Sequence, residues 1–459
     1  MSSMMITLKR EDIDSQEKRG NFTIAVIGCG RMGLPTACLF AEAGFTVIGA
    51  DVDQGVIALL KKGKTPFAEP GLEELAKKHA SKGRLTVTNS LKETASASDV
   101  VVFTVPTLID KKKKPDYSSV EKACKEVGVG LRSGCLVIFE STMGPGLTES
   151  LVKETLENAS GLKAGSDFGL AYSPIRATSG QVLQNIASYA RIVGAVNERS
   201  LEVACLVLGT ITKGEIIKVR DMKTAEAVKL FENVQRDVNI ALANEFAQFC
   251  EKAGIDYEEA RKTANTQPYC HLLVPGIVGG HIPKDAYLLV DEADSLNASL
   301  HMVTLARKVN DEMLDHTLRL VRDALRACGK PLRRARVSVL GVSYRPNIKE
   351  AQVSLIKELV NILKRRGAFV KVYDPLFSAK ELVEMGYPAE DTVTKAVEGA
   401  DCLIIAIGHD QFKRLNLKKA KLLMKKSAAI VDVGHVIEPA RAEKENLVYR
   451  GLGRGVWTR

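Results

Sequence analysis

No segment of this 459-residue sequence approaches the ~20 consecutive apolar residues of a membrane-spanning helix. The opening stretch, MSSMMITLKREDIDSQEKRG, lacks the apolar centre of a signal peptide, and residues 1–20 read as a mobile tail. The nine cysteines include no CxxC pair and no metal-type spacing, which excludes a cysteine-held metal and a disulfide framework and points to a reducing, cytoplasmic setting. Cys38 and Cys402 lie in apolar runs, where cysteine acts as a small hydrophobe. There is no short-period repeat and no low-complexity segment. The net charge of +10 suits an anionic ligand. The longest basic run, residues 111–114, has no interleaved aromatics and precedes Pro115. It reads as a solvated loop, and no nucleic-acid face is expected.

What is present is strand–helix alternation at both ends of the chain. FTIAVIGCGRMGLPTACLFAEAGFTVIGADVD reads as strand, glycine turn, helix and strand, and ASDVVVFTVPT, GCLVIFESTM and DFGLAYSP continue the pattern. Alternation resumes at VSVLGVSYRP, AFVKVYDP, DCLIIAIG and AAIVDVG. Between them, residues 221–254 space their apolar side chains at helical intervals for about nine turns, roughly 48 Å of helix. Gly254 supplies the stop. A second helical stretch is expected over 299–327. The economical fold is α/β, with two Rossmann-like doubly wound parallel sheets joined by a long central helix and a helical middle. The expected division is a tail (1–20), a dinucleotide domain (21–220), a helical middle (221–328) and a second Rossmann-like domain (329–459).

GCGRMG places Gly28, Gly30 and Gly33 in a G-x-G-x-x-G fingerprint between a strand and a helix. The first glycine permits the tight turn, the second lets a pyrophosphate approach the backbone, and the third lets helix and strand pack closely. The helix N-terminus then offers its free N–H groups to phosphate. Asp51 ends the next strand, about 20 residues on, where a carboxylate holds ribose hydroxyls and repels a 2′-phosphate, so NAD is the expected cofactor. Arg31 and Met32 lie in the same turn as candidate cofactor contacts, and a nearby arginine such as Arg31 is what could admit NADP. Thr107 and Thr142 follow predicted strand ends, the edge at which ligands bind in open parallel sheets. Loop-capping hydroxyls would look the same.

Glu226, Lys229 and Asn233 recur at i, i+3, i+7 on one helical face. A lysine on an amphipathic helix is ordinarily solvated, whereas a partly buried one can trade protons. Farther on, VPGIVGGHIPKDAYLL brings a glycine pair close to His281, Lys284 and Asp285 but holds no obvious nucleophile. Lys284 could grip a phosphate or sugar hydroxyl, and Asp285 a water or a lysine. His281 could serve as a base or as a plain hydrogen-bonding residue.

The order of these pieces resembles the UDP-glucose/GDP-mannose dehydrogenase family. The likeness runs from Phe22 to the C-terminus through the fingerprint, VPT, EST, AEAVKLFEN…NE, GG-x-IPKD, VLGVSYRPN, VYDP and YRGLGR. It is strongest to members acting on N-acetylated UDP-hexoses. The resemblance implies an NAD domain, a helical dimerisation core giving a homodimer through the central helix, and a C-terminal domain for a UDP-sugar. It implies that Lys229 and Asn233 stabilise and deprotonate the reacting oxygen and that Asp285 supports the proton-accepting water. Thr142 is expected beside that water, and Lys284 on the substrate. Arg176, Tyr344 and Arg345, which lie in the shared motifs, complete the candidate substrate contacts with Lys229, Asn233 and His281. No metal is implied.

The chain departs from the family in two places. The family loop reads GG-H/Y-C-I/L-P, whereas here Ile282 follows His281 directly and the nucleophilic cysteine is missing; Cys270 lies eleven positions before His281 and does not align with it. The family's P-E-R run reads SPIR, so Ile175 replaces the glutamate that activates water for thioester hydrolysis. Gln352 stands where many members have arginine. Hydride removal needs NAD, a base and an oxyanion stabiliser, all of which remain; capture and hydrolysis of an aldehyde need the two lost groups. Three readings follow: a two-electron nucleotide-sugar oxidoreductase or redox epimerase, a four-electron UDP-sugar 6-dehydrogenase working through a hydrate, or a non-catalytic binding protein.

Overall fold

The computed structural model describes residues 8–458, which divide into two compact units. The chain leaves the first at Glu232 and returns to it over Tyr287–Ala298; the second holds Asn233–Ala286 and the chain from Ser299 onward. The expected middle domain, 221–328, is thus shared between the units, because its two linking helices each belong partly to both.

The first unit is built on ten strands: β1 (Thr23–Ile27), β2 (Thr46–Ala50), β3 (Leu85–Thr88), β4 (Val100–Phe103), β5 (Leu108–Ile109), β6 (Pro115–Asp116), β7 (Leu136–Phe139), β8 (Gly169–Tyr172), β9 (Arg191–Ala195) and β10 (Ile216–Lys218). Eight of them form a sheet in the order β10-β9-β8-β7-β4-β1-β2-β3, and β5 and β6 make a separate antiparallel pair. Alternate residues of β1 enter different cores: Ile24 and Val26 pack in one cluster, Ala25 and Ile27 in the other. A strand covered on both faces reads as a continuous apolar run, as VVVF and LVIF do. The sheet departs from the all-parallel expectation at one edge. Strand β9 runs antiparallel to β8 and β10 parallel to β9, so the last two strands are reversed.

The described part of the expected tail is ordered. Leu8 and Ile13 are buried in the first core, and Arg19 donates to the carbonyls of Ile13 and Ala43. Two apolar residues in a polar run were too weak a pattern to reveal this anchoring. Residues 1–7, the rest of that tail, lie outside the described residues.

The second unit holds β11 (Arg336–Leu340), β12 (Phe369–Tyr373), β13 (Cys402–Ile405), β14 (Ala429–Asp432) and β15 (Val448–Gly451) in an all-parallel sheet ordered β12-β11-β13-β14-β15. It too is covered on both faces, with Cys402 and Ile404 in one cluster and Leu403 and Ile405 in the other. The long helix spans Met222–Ala253 and ends at Gly254, whose φ of +73° few residues but glycine adopt. The helix expected over 299–327 is two, His301–Asp311 and Met313–Ala327. The HIPKD run, read as a loop, instead starts a helix, Ile282–Ser295, which places Asp285 in a first turn.

Candidate active site

In the first unit the three fingerprint glycines do different work. Gly28 turns the chain at φ +95°, under the Thr104 hydroxyl, which donates to its carbonyl at 2.8 Å. A Cβ on Gly33 would overlap the Gly28 carbonyl, whereas a Cβ on Gly30 would meet nothing within 4 Å. That open space over Gly30 is where a pyrophosphate fits. Met32 precedes the fingerprint helix, Gly33–Ala43, and Arg31 lies over the Phe67 ring, 5.2 Å from its centroid. Asp51 accepts from the Cys29 amide at 2.7 Å and the Asp53 amide at 2.9 Å. It therefore braces the fingerprint turn, a task the spacing alone did not reveal, and its remaining acceptor capacity suits a ribose hydroxyl.

The loops after β4 and β7 are joined by the Thr107 hydroxyl, which donates to the Thr142 carbonyl at 2.9 Å. Beneath Thr142, Glu140 is buried against Arg191 at 2.9 Å, and burial pushes its carboxyl upward against the pull of that guanidinium. Glu226 reaches from the long helix into the same loop region. It accepts from the amides of Gly146 (2.5 Å) and Thr148 (2.8 Å) and from the Thr148 hydroxyl (2.5 Å). Burial pushes its carboxyl up to about 7 despite these donors. The sequence placed Glu226 on the helical face but gave no hint of the loop it holds.

Lys229 is half-buried and donates to the Ile175 carbonyl at 2.9 Å, so it is not a solvated-face lysine. Ile175 itself packs in the apolar core, and no carboxylate stands at that position. Arg176 pairs with Glu232 at 2.6 Å and donates to the Ala190 carbonyl.

In the second unit Asn233 donates to Asp285 at 2.5 Å. Asp285 is 1% exposed. Its other oxygen lies 3.1 Å from the Lys284 ammonium, close enough for ion pairing but not aligned as a hydrogen bond, which leaves a lone pair for an incoming donor. His281 is exposed, and its carbonyl accepts from the Asp285 amide. Gly280 (φ +76°) donates to the Val353 carbonyl at 3.0 Å and lies so close to the Tyr344 ring that a Cβ would sit 3.2 Å from it. Tyr344 thus joins the glycine loop, whereas Arg345 is exposed beside it.

The loop is held from below by residues the sequence did not single out. Asn244 grips the Gly276 backbone on both sides, accepting from its amide at 2.7 Å and donating to its carbonyl at 3.1 Å. It also donates to Asn310, which donates to Asp237, the buried partner of Arg307. Their signal was available: polar residues at 237 and 244 interrupt the apolar face of a long amphipathic helix.

Two doubly wound sheets, a glycine fingerprint open at Gly30 and an acidic residue directly after β2 define an NAD-dependent oxidoreductase. The chain matches the UDP-glucose/GDP-mannose dehydrogenase family over its NAD-binding domain (residues 22–211), its central domain (223–312) and its UDP-binding domain (338–439), and it belongs to that family. It is 35% identical over 434 residues to a UDP-N-acetyl-D-mannosamine dehydrogenase of Pyrococcus horikoshii, covering 94% of this chain and 99% of the relative. It is 32% identical to a UDP-N-acetyl-D-glucosamine 6-dehydrogenase of Pseudomonas aeruginosa, covering 92% and 98%. The solved structure of the Pyrococcus horikoshii enzyme superposes with a TM-score of 0.87 at 34% identity, over 95% of this chain and all of that one.

Proposed function

We propose that the protein oxidises a sugar carbinol of a UDP-N-acetylhexosamine, or of a related UDP-hexose or UDP-hexuronate, by two electrons. The single observation that carries this is the segment 279–285: its Lys284 and Asp285 meet Asn233 of the long helix, and it holds no cysteine. Bound NAD supplies the hydride acceptor, with Gly30 and Asp51 as its principal contacts, supported by Gly28, Arg31, Met32, Gly33, Thr107 and Thr142.

Lys229 and Asn233, one turn apart on the long helix, stabilise the alkoxide as charge develops on it. Asp285 receives the carbinol proton through a water, and the Asn233 amide keeps its carboxyl group oriented. Lys284, Arg176, His281, Tyr344 and Arg345 serve the substrate. A second oxidation through a thiohemiacetal would need a thiolate, and its hydrolysis a carboxylate near position 175. Ile175 is a packed apolar side chain, so the reaction stops at the carbonyl. Both named relatives are dehydrogenases, which weighs against redox epimerisation.

Oxidation of UDP-N-acetyl-D-mannosamine, followed by NADH absorbance and by NMR of the hydroxylamine-trapped product, tests the reading. One NADH per sugar with an aldehyde or ketone is expected. Two NADH per sugar would establish the four-electron route, no net NADH with an inverted carbon would establish epimerisation, and tight binding without turnover would establish a binding protein.

The homodimer belongs to this reading. Leu242, Phe246 and Phe249, at i, i+4 and i+7 of the long helix, are 40%, 41% and 62% exposed. Such a stripe on a helix suits a second copy of the chain.

A further inference from the structure

A cavity of about 550 Å³ lies in the second unit between the helices Val393–Val397 and Leu417–Leu423. It shares no residue with the candidate active site. Its floor is apolar, formed by Val393, Val397, Phe412, Leu415 and Leu423, and its volume is that of a small-molecule pocket. Two cations stand on its rim, Arg414 and Lys419. Neither side chain makes a hydrogen bond or a close ion pair among the described residues, although the Arg414 charge acts on Asp410 at longer range. The one carboxylate on the rim, Asp410, is already engaged by Lys413 at 2.6 Å and Asn347 at 2.8 Å.

The surrounding sequence has the same bias. KRLNLKKAKLLMKK, residues 413–426, carries seven lysines and arginines and no acid, and no acid occurs from 411 to 431. A solvated surface rarely concentrates charge of one sign around an apolar hollow, because self-repulsion is then uncompensated. An occupant with an anionic head and an apolar body would fill the hollow and neutralise its rim together. The arginine fork and the lysine point charge both suit phosphate.

We propose that this cavity is a second ligand site, separate from catalysis, which takes a soluble amphipathic phosphate: the alkyl or aryl body on the floor and the head between Arg414 and Lys419.

Octyl phosphate is a suitable probe, titrated calorimetrically into NADH-saturated protein so that the fingerprint site is blocked. One saturable event per chain is expected, with octanol and inorganic phosphate each binding at least about tenfold more weakly. Arg414→Glu with Lys419→Glu is expected to weaken binding about a hundredfold. Thr394→Trp, which fills the cavity without changing charge, is expected to abolish it, whereas Lys425→Glu with Lys426→Glu should leave it within about threefold. Thermal melting of each variant confirms folding. Several results would overturn the proposal: no saturable binding, equal binding of phosphate alone, or affinity that survives the Arg414/Lys419 reversal or the Thr394→Trp filling. Co-sedimentation with phosphatidylglycerol vesicles in the absence of saturable octyl phosphate binding would likewise overturn it, assigning the basic patch to a membrane surface.

Discussion

Asn233 donates its side-chain amide to Asp285 at 2.5 Å, joining the long helix to the first turn of the helix that follows the glycine loop. Asp285 is almost wholly buried, and this bond and the neighbouring Lys284 ammonium offset the cost of burying its carboxyl group.

Removing that donor should affect catalysis more than binding. Asn233→Ala is expected to lower kcat by about 10²-fold while leaving the KM for the sugar nucleotide little changed. Asp285→Asn, which keeps the shape but cannot take a proton, should lower kcat at least as far. An Asn233→Ala enzyme with a normal kcat would show that the pair is structural.

Glu226 gives a pH signature of stability. Its folded midpoint, about 7, lies above the usual carboxylate range, so between about 4.3 and 7 the folded state holds a proton that the unfolded state has lost. Its contribution is therefore complete at low pH and declines as pH rises through 7. Glu226→Gln cannot ionise. The variant should melt below the wild type at pH 5, and the gap should narrow by pH 8. A melting difference constant across that range would contradict the assignment.

The fingerprint glycines should respond unequally to an added methyl. Gly33→Ala forces its Cβ onto the Gly28 carbonyl and should destabilise the fold by about 1–3 kcal/mol or more. Gly30→Ala has room in the apoprotein and should melt normally, yet bind NAD more weakly because the methyl takes the ligand's space. Melting curves and NADH fluorescence titration separate the two effects.

The dimer reading is checked by light scattering. Phe246→Lys with Phe249→Lys puts two charges on an exposed helical stripe without touching the core, so the variant should fold but run as a monomer. A monomeric wild type would remove the dimer from this account.

Much of the fold was legible because its physics is local. Strands covered on both faces must be continuously apolar, so VVVF and LVIF declared themselves, and helical periodicity marked the long helix to within a residue at each end. The reversed edge strands β9 and β10 were not legible, since three to five residues of strand carry no direction. The ordered segment at 8–20 was hidden for a related reason: two anchors, Leu8 and Ile13, make no period. HIPKD looked like a loop because glycine and proline precede or interrupt it, yet proline near a helix start costs no hydrogen bond, and the helix begins at Ile282.

The sequence by itself determined the chemistry at hand: a glycine fingerprint with Asp51, the retained Lys229, Asn233 and Asp285, and the lack of a cysteine in the run GGHIPKD that carries Asp285. Those are matters of which groups exist, and covalent structure settles that. The tertiary structure decided how the groups are held and biased. Asp51 braces the Cys29 amide, Glu226 pins the loop beyond Thr142, and Asn244 clamps Gly276, each across at least 22 residues of chain. Hydrogen bonds of that kind depend on distance in space and on desolvation, and neither is written in the order of residues.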